Sequence, residues 1–216
     1  MRFSVERYWA LGATPATESA ATAPAKLADA TTLDEKGYIH NWLLLGPITF
    51  GDQYNADDIA KEQIPKEAAM MPSEGEKLKV KMREPTGDTF KDAEKELVWT
   101  RVKTPDYFLD FNDIYKLDAS EATGAYAVAY LDAPEKMAVT LSLCSNDNGK
   151  IYLNGKSVYE FVGGRALAED ADTVDVTLNK GLNVLIFKVW NDANDWQACI
   201  RLLDKNQKPI QSVKVR

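Results

Sequence analysis

The sequence predicts an all-β protein, an antiparallel β-sandwich with an extended N-terminal arm. Short runs of alternating apolar and polar residues recur along the second half, Gly, Asn and Pro turn signals separate them, and helical periodicity is confined to one brief stretch. The densest part, Val139 to Leu203, holds the turns Asn154-Gly155 and Lys180-Gly181 and two tryptophans that flank an Asn/Asp loop. A chain of 216 residues is long enough for one large sandwich.

Phe3 to Trp9 reads as a short strand. Leu11 to Thr32, rich in Ala, Thr, Pro and Ser, reads as a linker or loose arm, because such a tract buries too little side chain to offset the entropy of ordering it. The expected division is an arm over 1–36 and a sandwich domain over 37–216. Tyr38 to Leu45 is a dense apolar strand that Gly46-Pro47 should end, since proline has no ladder donor. His40 has no second histidine or nearby cysteine and reads as an ordinary strand residue. Phe50 to Ser73 is polar, with a short helical period over Ala56 to Glu67 that Pro65 interrupts. Lys77 to Arg83 alternates apolar and cationic, the pattern of a guarded edge strand or of a surface for an anionic polymer. Strands at Leu97 to Val102 and Tyr107 to Phe111 complete the first half.

In the second half, Ala125 to Leu131 alternates, and Val139, Leu141 and Leu143 share one face. Ile151 and Leu153 lead into Asn154-Gly155, which suits a type I′ hairpin because both central residues need positive φ. Val174, Val176 and Leu178 alternate again. Leu182 to Trp190 is apolar on both faces and predicts a central strand covered on both sides. Trp196 to Leu203 and Ile210 to Val215 close the set.

The net charge of −7 argues against a nucleic-acid partner, which calls for clustered Lys and Arg. The apolar runs Trp42 to Leu45 and Val184 to Phe187 fall far short of the roughly 20 residues a bilayer requires, so no membrane insertion is expected. Neither a Gly-x-Ser-x-Gly elbow, a Gly-rich phosphate loop nor a Cys/His zinc spacing occurs, and no catalytic centre is expected. Cys144 and Cys199 suit either a cross-strand disulfide or two buried thiols. The first residues have no apolar signal region, which reads as a cytoplasmic protein or as an internal piece of a longer secreted one.

From Tyr38 onward the signals follow a particular order. They are Trp42 to Pro47, Trp99, the turn Asn146-Asp147-Asn148-Gly149, Ile151 to Lys156, Arg165 with Asp170 and Asp172, Lys180 to Asn183, and Trp196 to Leu203 with Arg201. This order resembles β-jelly-roll domains related to the galactose-binding-like and protective-antigen-type sugar-binding domains. The resemblance implies a non-catalytic accessory domain of a bacterial multidomain protein, secreted or at the cell surface. Its partners would be a polysaccharide or oligosaccharide and the other domains of that parent. In the calcium-dependent members two consecutive Asp in the turn hold Ca²⁺; here Asp147 and Asn148 stand there, one carboxylate short.

Sugar binding needs an exposed aromatic face beside amides and carboxylates. The loop Trp190 to Trp196 supplies both, with Asn191, Asp192 and Asn194 between its tryptophans. Alternation turns Trp196 toward Ala198, Ile200 and Leu202 and leaves Trp190 as the better platform. Asn146, Asp147 and Asn148 form a second candidate or a plain turn. Arg165 could fork onto a uronic carboxylate or pair internally with Asp170 or Asp172. Asp110 and Asp113, with Asn112, are a further candidate for structural calcium beside Asp147 and Asn148. The expected function is a carbohydrate-binding module that tethers its parent to a glycan; the alternative is a structural or protein-interaction sandwich that spaces domains.

Overall fold

The computed structural model describes residues 27–117 and 122–216, so the expected strand at Phe3 to Trp9 lies outside the described residues. Along them run β1 (Thr31–Thr32), β2 (Asn41–Thr49), β3 (Lys77–Thr86), β4 (Thr89–Val98), β5 (Thr100–Lys103) and β6 (Leu109–Asp110), then a short helix α1 (Phe111–Tyr115). The second half supplies β7 (Thr123–Ala133), β8 (Met137–Asn146), β9 (Asn148–Leu153), β10 (Lys156–Phe161), β11 (Asp172–Leu178), β12 (Gly181–Asn191), β13 (Gln197–Leu203) and β14 (Lys214–Val215).

These strands form an antiparallel β-sandwich. The large sheet runs β10-β9-β12-β7, and the far edge of β7 is shared by β2 and β14, which pair onward with β5 and β1. The small sheet has the order β11-β8-β13-β6, and β3 with β4 makes a separate hairpin. The core between the sheets takes one face of each strand: Ala125, Ala127, Ala129 and Leu131 from β7, Leu185, Phe187 and Val189 from β12, and Trp196, Ala198, Ile200 and Leu202 from the facing side. The small residues of β7 leave room for the large ones opposite, as close packing demands.

The other face of the large sheet is also covered. Tyr126, Val128 and Tyr130 of β7 and Val184 and Ile186 of β12 pack beneath the β3–β4 hairpin and the 50–72 segment, which contribute Val80, Met82 and Ile64. This third layer accounts for the two-sided apolar pattern of Leu182 to Trp190. Asn154 and Gly155 have φ of 50° and 82°, as the expected hairpin turn requires.

Some expectations are corrected. Gly46-Pro47 does not end β2; the strand continues to Thr49 with a register shift between Leu45 and Ile48, where a missing donor is tolerated. Only Leu109–Asp110 of the Tyr107 to Phe111 run is strand, because the Asp110 side chain accepts from the Asp113 N–H and starts α1. Thr31 and Thr32 pair with Val215 and Lys214, and Leu33 enters the core, so the sandwich takes in residues assigned above to the arm. The strand expected from Tyr38 begins only at Asn41, so His40 lies just ahead of β2, where Asp34 and the Thr104 carbonyl hold its ring. Cys144 and Cys199 face each other in register as buried free thiols, and burial pushes Cys199 up to about 12.

Candidate functional site

The three loops singled out in the sequence meet at one end of the sandwich. Asn146 and Asp147, Gly164 and Arg165, and Asp192 to Asp195 line a shallow cleft of 390 Å³. Their polar groups, however, hold the loops to one another. The Asp147 carboxylate accepts from the backbone N–H of Arg165 at 3.0 Å and of Asp192 at 3.2 Å. The Asn148 side chain accepts from the Gly163 N–H at 2.7 Å and donates to the Tyr54 hydroxyl. Arg165 is spent internally: it pairs with Asp172 at 2.5 Å, donates to the Ser145 carbonyl and the Tyr159 hydroxyl, and stacks 3.6 Å over Phe161. Asn191 donates weakly to the Asn194 carbonyl at 3.5 Å, closing its own turn.

The expected calcium ligands do not fit a cation. Asp147 and Asn148 are engaged as described. Asp110 caps α1 and accepts from Gln197, while Asp113 pairs with Lys116 at 2.6 Å. Among the described residues no group of three or more His, Cys, Asp or Glu is arranged to hold a metal ion. Hard cations take six to eight oxygens, and the carboxylates here are committed to the fold.

Neither tryptophan is exposed. Trp196 is 0% exposed and stacks on Phe111 at 4.6 Å and on Tyr115 at 5.8 Å. This is the core position that alternation indicates, and it excludes a ligand contact. Trp190 is 2% exposed, which corrects its reading as a free platform. The reason is the third layer: Phe50 lies over it at 4.4 Å and Tyr54 at 6.4 Å, with Lys188 at 4.9 Å from its ring.

That same layer creates a second, larger recess. A groove of 570 Å³ opens between the β3–β4 hairpin and the 50–63 segment, with Trp190 in its floor and half-buried Phe50 beside it. The volume is that of an ordinary small-ligand site. Gln53, Asn55 and Gln63 bring amides to one wall, and Lys81, Arg83 and Asp92 bring charges to the other. Phe50 is the functional candidate missed in the sequence, because a single aromatic just past a strand end carries no periodic signal.

A buried ionic cluster holds the amide-bearing wall in place. Lys188 is 0% exposed and Glu67 1%. The Lys188 ammonium donates to both Glu67 oxygens at 3.2 and 3.1 Å and to the carbonyls of Ile59 and Lys61. Tyr126 and Tyr152 donate to Glu67 at 2.5 and 2.6 Å, and Lys150 donates to the Ala60 carbonyl. Burial lowers the Lys188 pKa to about 8, with the Glu67 carboxylate opposing that shift. The signal for this cluster was present: a lysine inside a strand covered on both sides must find acceptors.

No family model matches the chain. No curated protein matches it either. Among the described residues no helix is long and apolar enough to cross a membrane.

Proposed function

We propose that this chain is a non-catalytic carbohydrate-binding module that holds a saccharide in the groove beneath the β3–β4 hairpin. One observation carries the reading: a half-buried aromatic, Phe50, backed by Trp190, borders a groove walled by side-chain amides. The apolar face of a pyranose stacks on such a ring while its hydroxyls reach the amides. Gln53 is exposed and makes no side-chain hydrogen bond among the described residues, so its amide is free for a ligand. The order of sequence motifs from Tyr38 onward, which resembles that of sugar-binding jelly rolls, supports the same reading, including attachment to an exported multidomain parent.

Affinity electrophoresis against a panel of polysaccharides tests it. Retardation on at least one glycan is expected, with a change in tryptophan fluorescence because Trp190 floors the groove. Phe50→Ala should weaken retention about tenfold, equivalent to about 1.4 kcal/mol. The burial of both Trp190 and Trp196 favours a second reading, a structural sandwich that spaces domains. No retardation on any glycan, with unchanged fluorescence, would overturn the saccharide reading.

A further inference from the structure

We infer that the groove selects an anionic saccharide, one bearing a carboxylate or a sulfate, and that Lys81 receives the charge. This rests on the groove being a saccharide site. The acidic residues of its lining are each matched by a cation: Asp58 by Lys61 at 2.6 Å, Asp92 by Arg83 at 2.7 Å, and Glu94 by Lys79 at 3.8 Å. Arg83 commits four of its five N–H donors, and its single charge already faces two carboxylates. Its Nε and Nη2 go to Asp52, its Nη1 to Asp92, and Nη2 also to the Phe90 carbonyl. Lys81 is exposed and, among the described residues, has no acid within ion-pairing distance, although Glu94 is its cross-strand neighbour. Of the groove's charges, Lys81 alone is left unmatched among the described residues.

An unmatched ammonium beside an aromatic surface discriminates among sugars. A neutral hydroxyl offers it no more than water does, whereas a carboxylate or sulfate offers a charge-assisted hydrogen bond. An ammonium is a point charge with rotatable donors, so it accepts either anion without the planar match an arginine demands. The net charge of −7 repels polyanions at long range, but physiological salt screens that field beyond about 8 Å. Contact inside the groove therefore sets the preference.

Affinity electrophoresis is run on a polyuronate, a sulfated dextran, and two neutral glycans, unmodified dextran and the methyl-esterified polyuronate. Retardation on one or both anionic glycans, little on the neutral ones, and a roughly tenfold loss in Lys81→Gln is the expected result; the two anionic arms distinguish carboxylate from sulfate. Lys77→Gln is the control, since Lys77 lies on the same strand but pairs with Glu96 at 2.7 Å. Equal retardation on neutral and anionic glycans would overturn the inference and leave the saccharide reading standing. An equal loss in Lys77→Gln would overturn it as well, by making the attraction non-specific. No retardation on any glycan would remove both.

Discussion

Lys188 and Glu67 set the energetics of the third layer at the level of single residues. A buried ion pair gains little over an apolar pair of the same size, but removing one partner leaves an uncompensated charge. Lys188→Met strands the Glu67 carboxylate with only the hydroxyls of Tyr126 and Tyr152 and the Gln63 N–H for company. The expected loss is about 3–5 kcal/mol in urea unfolding. The double replacement Lys188→Met with Glu67→Leu should recover part of it, because no charge is then left behind. A single variant no worse than the double would show that the pair does not hold the cover on the sheet.

At the level of elements, the β3–β4 hairpin is joined to the sandwich by its packed face and by its tip. Val80 and Met82 face the sheet, the Thr49 hydroxyl donates to the Arg83 carbonyl, and the Phe90 ring closes on Gly51. Gly51 has φ of 52°, and a Cβ there would lie 2.4 Å from the Phe90 ring. Gly51→Ala therefore combines backbone strain with displacement of the hairpin tip, at a cost of about 1–3 kcal/mol. The groove wall moves with the tip, so glycan retention should fall while far-UV circular dichroism of the sandwich is kept. Unchanged retention would mean that the hairpin does not shape the site.

For the whole molecule, the alkaline limit of stability is written in its tyrosines. Burial raises the pKa of Tyr38, Tyr54, Tyr115, Tyr126, Tyr130, Tyr152 and Tyr159, helped for Tyr126 and Tyr152 by the Glu67 carboxylate. The fold thus holds their phenolic protons more tightly than the unfolded chain does, where tyrosine titrates at about 10. The stability they contribute is complete below that pH and is lost progressively above it. Lys188 acts in the opposite sense, since the fold releases its proton near 8 and the unfolded chain only near its ordinary value of 10.5. Thermal melts should therefore hold or rise slightly from pH 8 to 10 and fall steeply beyond. A midpoint that is flat above pH 10.5 would contradict the buried-tyrosine account.

The sandwich itself was legible residue by residue. Period-two alternation in β7, β8 and β11 marked their buried faces, Asn154-Gly155 marked a hairpin, and the two-sided run of β12 marked a strand with cover on both faces. These are local properties, because a side chain's face follows from its parity along the strand. What covers the second face was not legible. The 50–72 segment is polar and has only short 3₁₀ turns, so nothing periodic in it announces that Glu67 will meet Lys188 across more than a hundred residues of chain. For the same reason Trp190 read as the better platform although Phe50 and Tyr54 bury it, and Asp147 stayed open between ligand contact and plain turn although loop-to-loop bonds consume it; for Arg165 the internal alternative, pairing with Asp172, is the one found. The sequence alone determined which residues could form an all-β core, since burial of alternating side chains is a local pattern. Only the tertiary structure decided which polar groups are left free, because satisfying a buried charge or hydroxyl depends on partners that distant segments supply.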